Sequence, residues 1–173
     1  METPRLYLRP FLLDDAPEIF RLNGNPEVMR FLGKREVYTS VEEARSWLES
    51  YLERAKSLPY ARWAVIRKED GAWLGWCGLK LHPDGETDLG FRFHEAYWGR
   101  GYATEAGKAW LERGFKEFNL PRMVAQTTSE NLGSQRVITK LGFTRDPATD
   151  HDEDGFRWLS YEISRSAGFS LPS

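Results

Sequence analysis

The sequence predicts a mixed α/β fold, and three observations predict it. Three strand-like runs, Arg62–Arg67, Trp73–Leu81 and Thr87–Phe93, follow one another with only turn residues between them, which makes an antiparallel meander. After residue 104 the pattern changes to helix, strand, helix and strand in alternation, the mark of a layered α/β domain. Between the two regimes lies Tyr97-Trp98-Gly99-Arg100-Gly101-Tyr102, a glycine turn that leaves a strand and enters a helix.

Each element has a local reason. Arg5 to Phe11 alternates Leu6, Leu8 and Pro10 with Tyr7, Arg9 and Phe11, so it reads as a first strand, ended near Pro10. Asp14-Asp15-Ala16-Pro17 opens a short helix carrying Ile19, Phe20 and Leu22, because acids and proline favour a helix N-terminus. Asn25-Pro26 restarts the chain for a second short helical piece with Val28, Met29, Phe31 and Leu32. Ser40-Val41-Glu42-Glu43 has capping-box spacing, and Ala44, Trp47, Leu48, Tyr51, Leu52 and Ala55 form the apolar stripe of the helix behind it. Asp70-Gly71 and Pro83-Asp84-Gly85 supply the meander's turns. A helix is predicted over Thr104–Phe118, a strand over Arg122–Thr128, a helix over Leu132–Leu141 with Gly142 at its C-terminus, and a last strand over Phe156–Ile163. These elements are read as one domain over residues 1–165, with 166–173 a loose tail.

Composition bounds the function. The chain has 173 residues, 40% of them hydrophobic, enough for a proper core. A formal net charge of −2 argues against a broad nucleic-acid footprint. No apolar run reaches the length of a membrane span, and Met-Glu-Thr-Pro-Arg lacks a signal core, so the expected location is cytoplasmic. Cys77, between Trp76 and Gly78 in a strand, reads as a buried structural thiol. His82, His94 and His151 are scattered and offer no metal-ligand spacing.

The glycine turn is where chemistry is expected. Backbone N–H groups at a helix N-terminus point outward, and the helix dipole adds roughly half a positive charge there, so the turn suits a phosphate. A nucleotide-triphosphate loop would need Gly-Lys-Ser/Thr, whereas this chain has Gly101-Tyr102-Ala103-Thr104. A dinucleotide fingerprint would need a small third residue where Thr104 stands, and an earlier place in the chain. A plain packing turn is the remaining local reading.

The run Tyr97-Trp98-Gly99-Arg100-Gly101-Tyr102-Ala103-Thr104-Glu105-Ala106 resembles the acyl-CoA pyrophosphate loop of the GNAT N-acetyltransferases. It is most similar to the RimJ/RimL branch, the ribosomal-protein N-acetyltransferases, in which Trp is common at the position of Trp98. Thr3-Pro4-Arg5-Leu6-Tyr7-Leu8-Arg9-Pro10-Phe11 upstream, and Asn131-Leu132-Gly133-Ser134 and Lys140-Leu141-Gly142-Phe143 downstream, extend the likeness in the family's order. The resemblance implies a mixed, mostly antiparallel central sheet flanked by helices, with central strands splayed to admit acetyl-CoA. It implies a transferase that moves an acetyl group to a primary amine by direct attack of the amine on the thioester.

The same resemblance assigns roles. Gly99, Arg100, Gly101, Tyr102, Ala103 and Thr104 would hold the pyrophosphate, mostly through backbone N–H. The Arg100 side chain either pairs with a phosphate oxygen or is a solvated charge. Phe91, Arg92 and Phe93 would offer main-chain groups to the pantetheine arm, their phenylalanine rings going to the core. Asn131 would contact the cofactor, and it also suits the N-cap of the helix that follows. Ser134 would protonate the departing thiolate; a thiol's ordinary pKa of about 8.5 means the thiolate can also leave unaided. Glu86, Asp88, Glu95 and His94 border the central strands, and no base is assigned among them.

The acceptor stays open at this stage. A protein N-terminal α-amine and a small amine (a polyamine, an amino-acid derivative or an aminoglycoside) compete, and a non-catalytic CoA-binding module is a third reading. Residues 25–35 are candidates for acceptor contact in the family's arrangement. The cluster Asp150-His151-Asp152-Glu153-Asp154 is either a solvated loop or an attractor of a cationic acceptor. The expected assembly is a monomer or homodimer.

Overall fold

The computed structural model describes residues 1–32 and 38–165. The expected loose tail, and residues 33–35 of the acceptor-contact candidates, lie outside them. Strand β1 (Leu6–Pro10) buries Leu6 and Leu8 and turns Tyr7 outward, as its alternation predicts. A turn of 3-10 helix (Leu13–Asp15) leads into α1 (Ala16–Asn23), with Pro17 in the first turn and Gly24 at the end. Asn25 accepts the Glu27 N–H at 2.9 Å and so starts the short α2 (Pro26–Met29). Helix α3 (Val41–Ala55) is capped by Ser40, whose Oγ accepts the Glu43 N–H at 3.2 Å. The Glu43 carboxylate reaches back to Thr39 and not to Ser40, one residue beyond the usual capping box.

The meander forms as predicted: β2 (Arg62–Arg67), β3 (Trp73–Leu81) and β4 (Thr87–Phe93) pair antiparallel in sequence order. The alternating half follows as α4 (Tyr102–Lys116), β5 (Arg122–Thr128), α5 (Leu132–Lys140) and, after three shorter pieces, β8 (Phe156–Ser164). Helix α4 begins two residues earlier than the apolar stripe suggests, because Gly101 itself is its N-cap. Two strands have no signature in the sequence. They are β6 (Thr144–Arg145) and β7 (His151–Glu153), short and polar, and they exist only as partners of β8. Among the described residues the sheet order is β1-β2-β3-β4-β5-β8-β6, with β7 also on β8.

Helices cover both faces. On one, Trp110, Leu111 and Phe115 of α4 and Ile138 of α5 pack on Leu79, Leu89, Phe93, Met123 and Ala125. On the other, Ile19 and Leu22 of α1 and Ala44 and Leu48 of α3 pack on Ala64, Trp73 and Trp76. Each large apolar side chain so buried contributes about 2 kcal/mol. Strand β3 is therefore buried on both faces, which explains its nearly continuous apolar run. Cys77 in its middle is fully buried, and burial pushes the thiol's pKa up, so it is an inert core residue.

One seam of the sheet differs from the rest. Neighbouring strands are antiparallel everywhere except β4 and β5, which are parallel with α4 as their crossover. Those two strands pair at a single register position, Asp88 with Val124. Beyond it they diverge, and among the described residues the edge of β4 from Leu89 to Phe93 has no strand partner on that side.

Candidate active site

The divergence of β4 and β5 opens directly beneath the glycine turn. Gly99 and Gly101 have φ of +73° and +80°, left-handed conformations that cost a residue with a Cβ about 1–2 kcal/mol. Two such residues around Arg100 swing the chain from the end of β4 into α4. Glu105 is the first amide of the helix to find a carbonyl, that of Gly101 at 3.0 Å. Among the described residues, the N–H groups of Gly99, Arg100, Gly101, Tyr102, Ala103 and Thr104 have no backbone acceptor. A Cβ built on Gly99 would meet nothing within 4 Å, and one on Gly101 only Arg5 Nη2 at 3.4 Å, so the space over these amides is open. Free amides, an open face and the positive end of α4 together fit the pyrophosphate of acetyl-CoA.

The turn is held from outside. Arg5 donates from its backbone N–H (2.8 Å) and its Nε (2.6 Å) to the Glu105 carboxylate, which also accepts from Thr3 Oγ1 at 2.6 Å. The same guanidinium donates from Nη1 to the Arg100 carbonyl at 3.0 Å and lies 4.6 Å from the centre of the Tyr102 ring. Burial alone would raise the Glu105 pKa, but the Thr3 and Arg5 bonds outweigh it and hold the carboxyl below its ordinary value. Trp98 ties the turn to the strand, its Nε1 donating to the Phe93 carbonyl at 2.8 Å. Arg67, bonded to Asp70, lies over the Tyr97 ring at 5.3 Å. Two guanidiniums thus flank the amide cluster and add positive potential to it. The Arg100 side chain forms no ion pair among the described residues.

None of Thr3, Arg5 and Glu105 was singled out for this role by the sequence. Thr3 and Arg5 stand within the upstream motif that carries the family likeness, which is the one signal that could have found them. Their bonds to Glu105 span about one hundred residues, a separation no local pattern reports.

The pantetheine candidates sit along the open edge of β4. Phe93 is buried and Phe91 packs against the α4-side core, as expected of rings that serve packing. Arg92 points to the opposite face, where its Nη1 donates to Asn23 Oδ1 at 2.6 Å and its guanidinium lies 5.4 Å from the Trp76 ring. What these residues present to the open seam is therefore main chain. Across the seam, Asn131 caps α5 by accepting the Ser134 N–H at 3.0 Å, so the structural half of its double reading is present. Ser134 is half-buried one turn into that helix, at the end of β5.

The α1 face of the seam is polar. Asp88, Gly90 and Arg92 point to it from β4, beside Arg62 of β2 and Trp76 of β3. A cleft of about 460 Å³ flanks it at the end of β4, lined by Glu18, Arg21, Asn25, Trp73, His94 and Tyr97. His94 packs edge-on against Trp73, and burial, with Arg21 nearby, holds it below its ordinary pKa. Of the other acids, Glu86 is paired with Arg122 and Glu95 is exposed. The acidic cluster after β6 is largely committed within its own hairpin. Asp150 bonds both nitrogens of Arg145 at 2.7 Å and the Ser160 N–H at 2.9 Å, and Asp152 bonds Arg157.

Comparison with known proteins agrees with this geometry. The acetyltransferase (GNAT) domain family matches residues 5–144. The chain is 30% identical over 145 residues to the uncharacterised N-acetyltransferase YnaD of Bacillus subtilis, covering 83% of this chain and 82% of that protein. It is 28% identical over 156 residues to the FsC-acetyl coenzyme A-N(2)-transacetylase of Aspergillus fumigatus, covering 83% and 64%. The crystal structure of an acetyltransferase from Agrobacterium tumefaciens superposes with a TM-score of 0.78 at 26% identity, covering 95% of this chain and 94% of that one. The chain belongs to the GNAT acetyltransferase family. It is an N-acetyltransferase with acetyl-CoA as its donor.

Proposed function

We propose that the protein transfers the acetyl group of acetyl-CoA to the α-amine of a protein or peptide N-terminus, by direct attack of the amine on the thioester. The observation that carries the reading is the alignment of the open β4 edge with the unpartnered amides of residues 99–104. An extended pantetheine arm along that edge and a pyrophosphate on those amides would bring the thioester into the seam between β4 and β5. On this reading Phe91, Arg92 and Phe93 contribute backbone groups, Gly99 to Thr104 bind phosphate, and Asn131 shares its side chain between the α5 cap and the cofactor. Ser134 then supplies a proton to the departing sulfur. The preference for an N-terminal α-amine rests on the RimJ/RimL-like motifs and on basicity. An α-amine has a pKa near 8 and loses its proton more readily than a lysine amine near 10.4.

A small amine is the second reading, favoured by the likeness to a relative whose name is FsC-acetyl coenzyme A-N(2)-transacetylase. The deciding experiment is CoA thiol release from acetyl-CoA against peptides with different first residues and against small amines. Release with peptides, depending on the first residue, supports N-terminal acetylation. Release with small amines alone overturns it in favour of a metabolite acceptor.

A further inference from the structure

Another cleft lies away from the seam. It has a volume of about 230 Å³ and is bounded by the end of α3, the start of β2 and the C-terminal half of α4. Arg113, on its wall, stands twelve residues beyond Gly101, which is about 18 Å along the helix, so the cleft is separate from the glycine turn. Rings form most of its lining. Trp63 meets Trp110 edge-on at 5.2 Å, and Tyr60 packs on Phe118 at 5.2 Å.

The polar side chains of the lining are donors without acceptors. Among the described residues no carboxylate lines the cleft, and its two charged residues, Arg62 and Arg113, are both cations. Arg62 carries its guanidinium to the Trp76 ring at the seam, which leaves Arg113 as the cation of the cleft. Arg113 Nε donates to Glu117 at 2.7 Å, while Nη1 and Nη2 have no partner among the described residues. The guanidinium lies 4.8 Å from the centre of the Trp63 ring, 5.2 Å from Phe118 and 5.6 Å from Trp110, and these three rings fix its position. Trp110 is fully buried, and its Nε1 has no hydrogen-bond partner among the described residues. The neighbouring Trp63 ring is a weaker partner for that N–H than an oxygen. The two hydroxyls of the lining are engaged, Tyr51 by the Arg62 N–H at 2.8 Å and Tyr60 by Thr87. Packing accounts for the Arg113 stem, but not for unused donors at its tip beside a buried indole N–H that is costly to leave unmade.

We propose that this cleft is a binding site for a small aromatic carboxylate, separate from the sites of acetyl-CoA and the acceptor. The carboxylate accepts from the free Arg113 nitrogens and from Trp110 Nε1, and the ring packs among Trp63, Tyr60 and Phe118. A guanidinium is the donor best matched to a planar carboxylate, and aromatic walls favour a ring that can pack edge to face. The size agrees. A cavity of about 150 Å³ is enough for benzene, so 230 Å³ takes one ring with its carboxylate and excludes a nucleotide. The charge agrees as well, since an amine in the cleft would meet a cation and an N–H donor, whereas a carboxylate satisfies both.

The test is calorimetry with phenylacetate and with its neutral analogue 2-phenylethanol, read beside the indole N–H signals in nitrogen-15 NMR. Phenylacetate should bind wild type and shift the Trp110 indole signal, which Trp110→Phe identifies by removing it. Saturating acetyl-CoA should leave that affinity unchanged. The neutral analogue, and phenylacetate on Arg113→Gln, should each bind about 10-fold more weakly or worse, the loss expected when hydrogen bonds to a charged group go unmade. Glu117→Gln should tighten phenylacetate binding, because it removes the anion that competes for Arg113. A pair that serves only structure would give the opposite sign. No heat and no indole shift at millimolar phenylacetate, equal affinity for 2-phenylethanol, displacement by acetyl-CoA, or weaker binding in Glu117→Gln each overturns the proposal. So does a dimer by sedimentation that closes the cleft and leaves phenylacetate unbound, an outcome that would give the surface to a second copy of the chain. If Arg113→Gln fails to fold, the neutral analogue and Glu117→Gln decide. Because binding is read without turnover, the acceptor assignment above can fail while this site stands.

Discussion

Glu105 is the residue on which the glycine turn at 99–101 should depend most. Its carboxylate is 15% exposed and accepts three hydrogen bonds, from Thr3 Oγ1, the Arg5 N–H and Arg5 Nε. A hydrogen bond to a charged group contributes about 1.5–3 kcal/mol when partly buried. Arg5 is half-exposed and regains water when released, so the three bonds do not add in full. Glu105→Ala should therefore cost about 3 kcal/mol, and a chain of this size should lose about 6–12 °C in Tm. The same change frees the Arg5 guanidinium from the Arg100 carbonyl and the Tyr102 ring, so the turn is no longer held in its binding shape. Acetyl-CoA should bind several-fold more weakly by calorimetry at saturating stability, well below Tm. The pH dependence carries a sign. The folded-state pKa of Glu105 is depressed, so its contribution is present above the ordinary carboxylate range and is lost as pH falls through the folded value. Wild type and Glu105→Ala should thus differ fully at pH 7, and the gap should shrink as pH falls through the ordinary carboxylate range and close below the depressed folded value. A Tm gap that persists undiminished at pH 3, or a variant with unchanged Tm and unchanged acetyl-CoA affinity, would refute the clamp.

Other positions give separate expectations. Asn131→Ala should cost about 1 kcal/mol through loss of the α5 cap, and a drop in acetyl-CoA affinity beyond that found for a cap change at Ser40 would reveal the cofactor role. Ser134→Ala should lower kcat about 100-fold if the serine protonates the departing sulfur, and leave acetyl-CoA affinity intact; an unchanged kcat removes it from the mechanism. Gly75→Ala would drive a Cβ to 2.1 Å from the Arg92 carbonyl oxygen, so thermal melting should show a loss of about 3 kcal/mol; a wild-type Tm would contradict the strand spacing there. Asp150, bonded to Arg145 and the Ser160 N–H, should titrate at about 2 by carboxyl NMR. The hairpin of β7 and β8 should therefore hold its carboxylate bonds until pH falls toward that value, and a midpoint near 4 would show the pair to be open in solution.

The sequence by itself determined what depends on neighbours in the chain. Turn glycines at 71 and 85, the Ser40 cap, the apolar stripe of α4 and the glycine turn at 99–101 each act within a few residues, so their chemistry is visible in a short window. The loop residues of the site were legible for the same reason, since free amides at a helix start are a local consequence of glycine conformations. The tertiary structure decided the rest. Strands β6 and β7 have no pattern of their own and form because β8 presents an edge to them. The clamp of Thr3 and Arg5 on Glu105 needs β1 to lie beside the start of α4, which follows from sheet order and not from composition. The parting of β4 from β5 after Asp88 is a matter of pairing between distant segments, and a strand's period says which residues share a face but not where its partner leaves it. For that reason Asp88 looked like any acid bordering a strand in the sequence, and only the fold placed it at the base of the seam with Arg62 beside it.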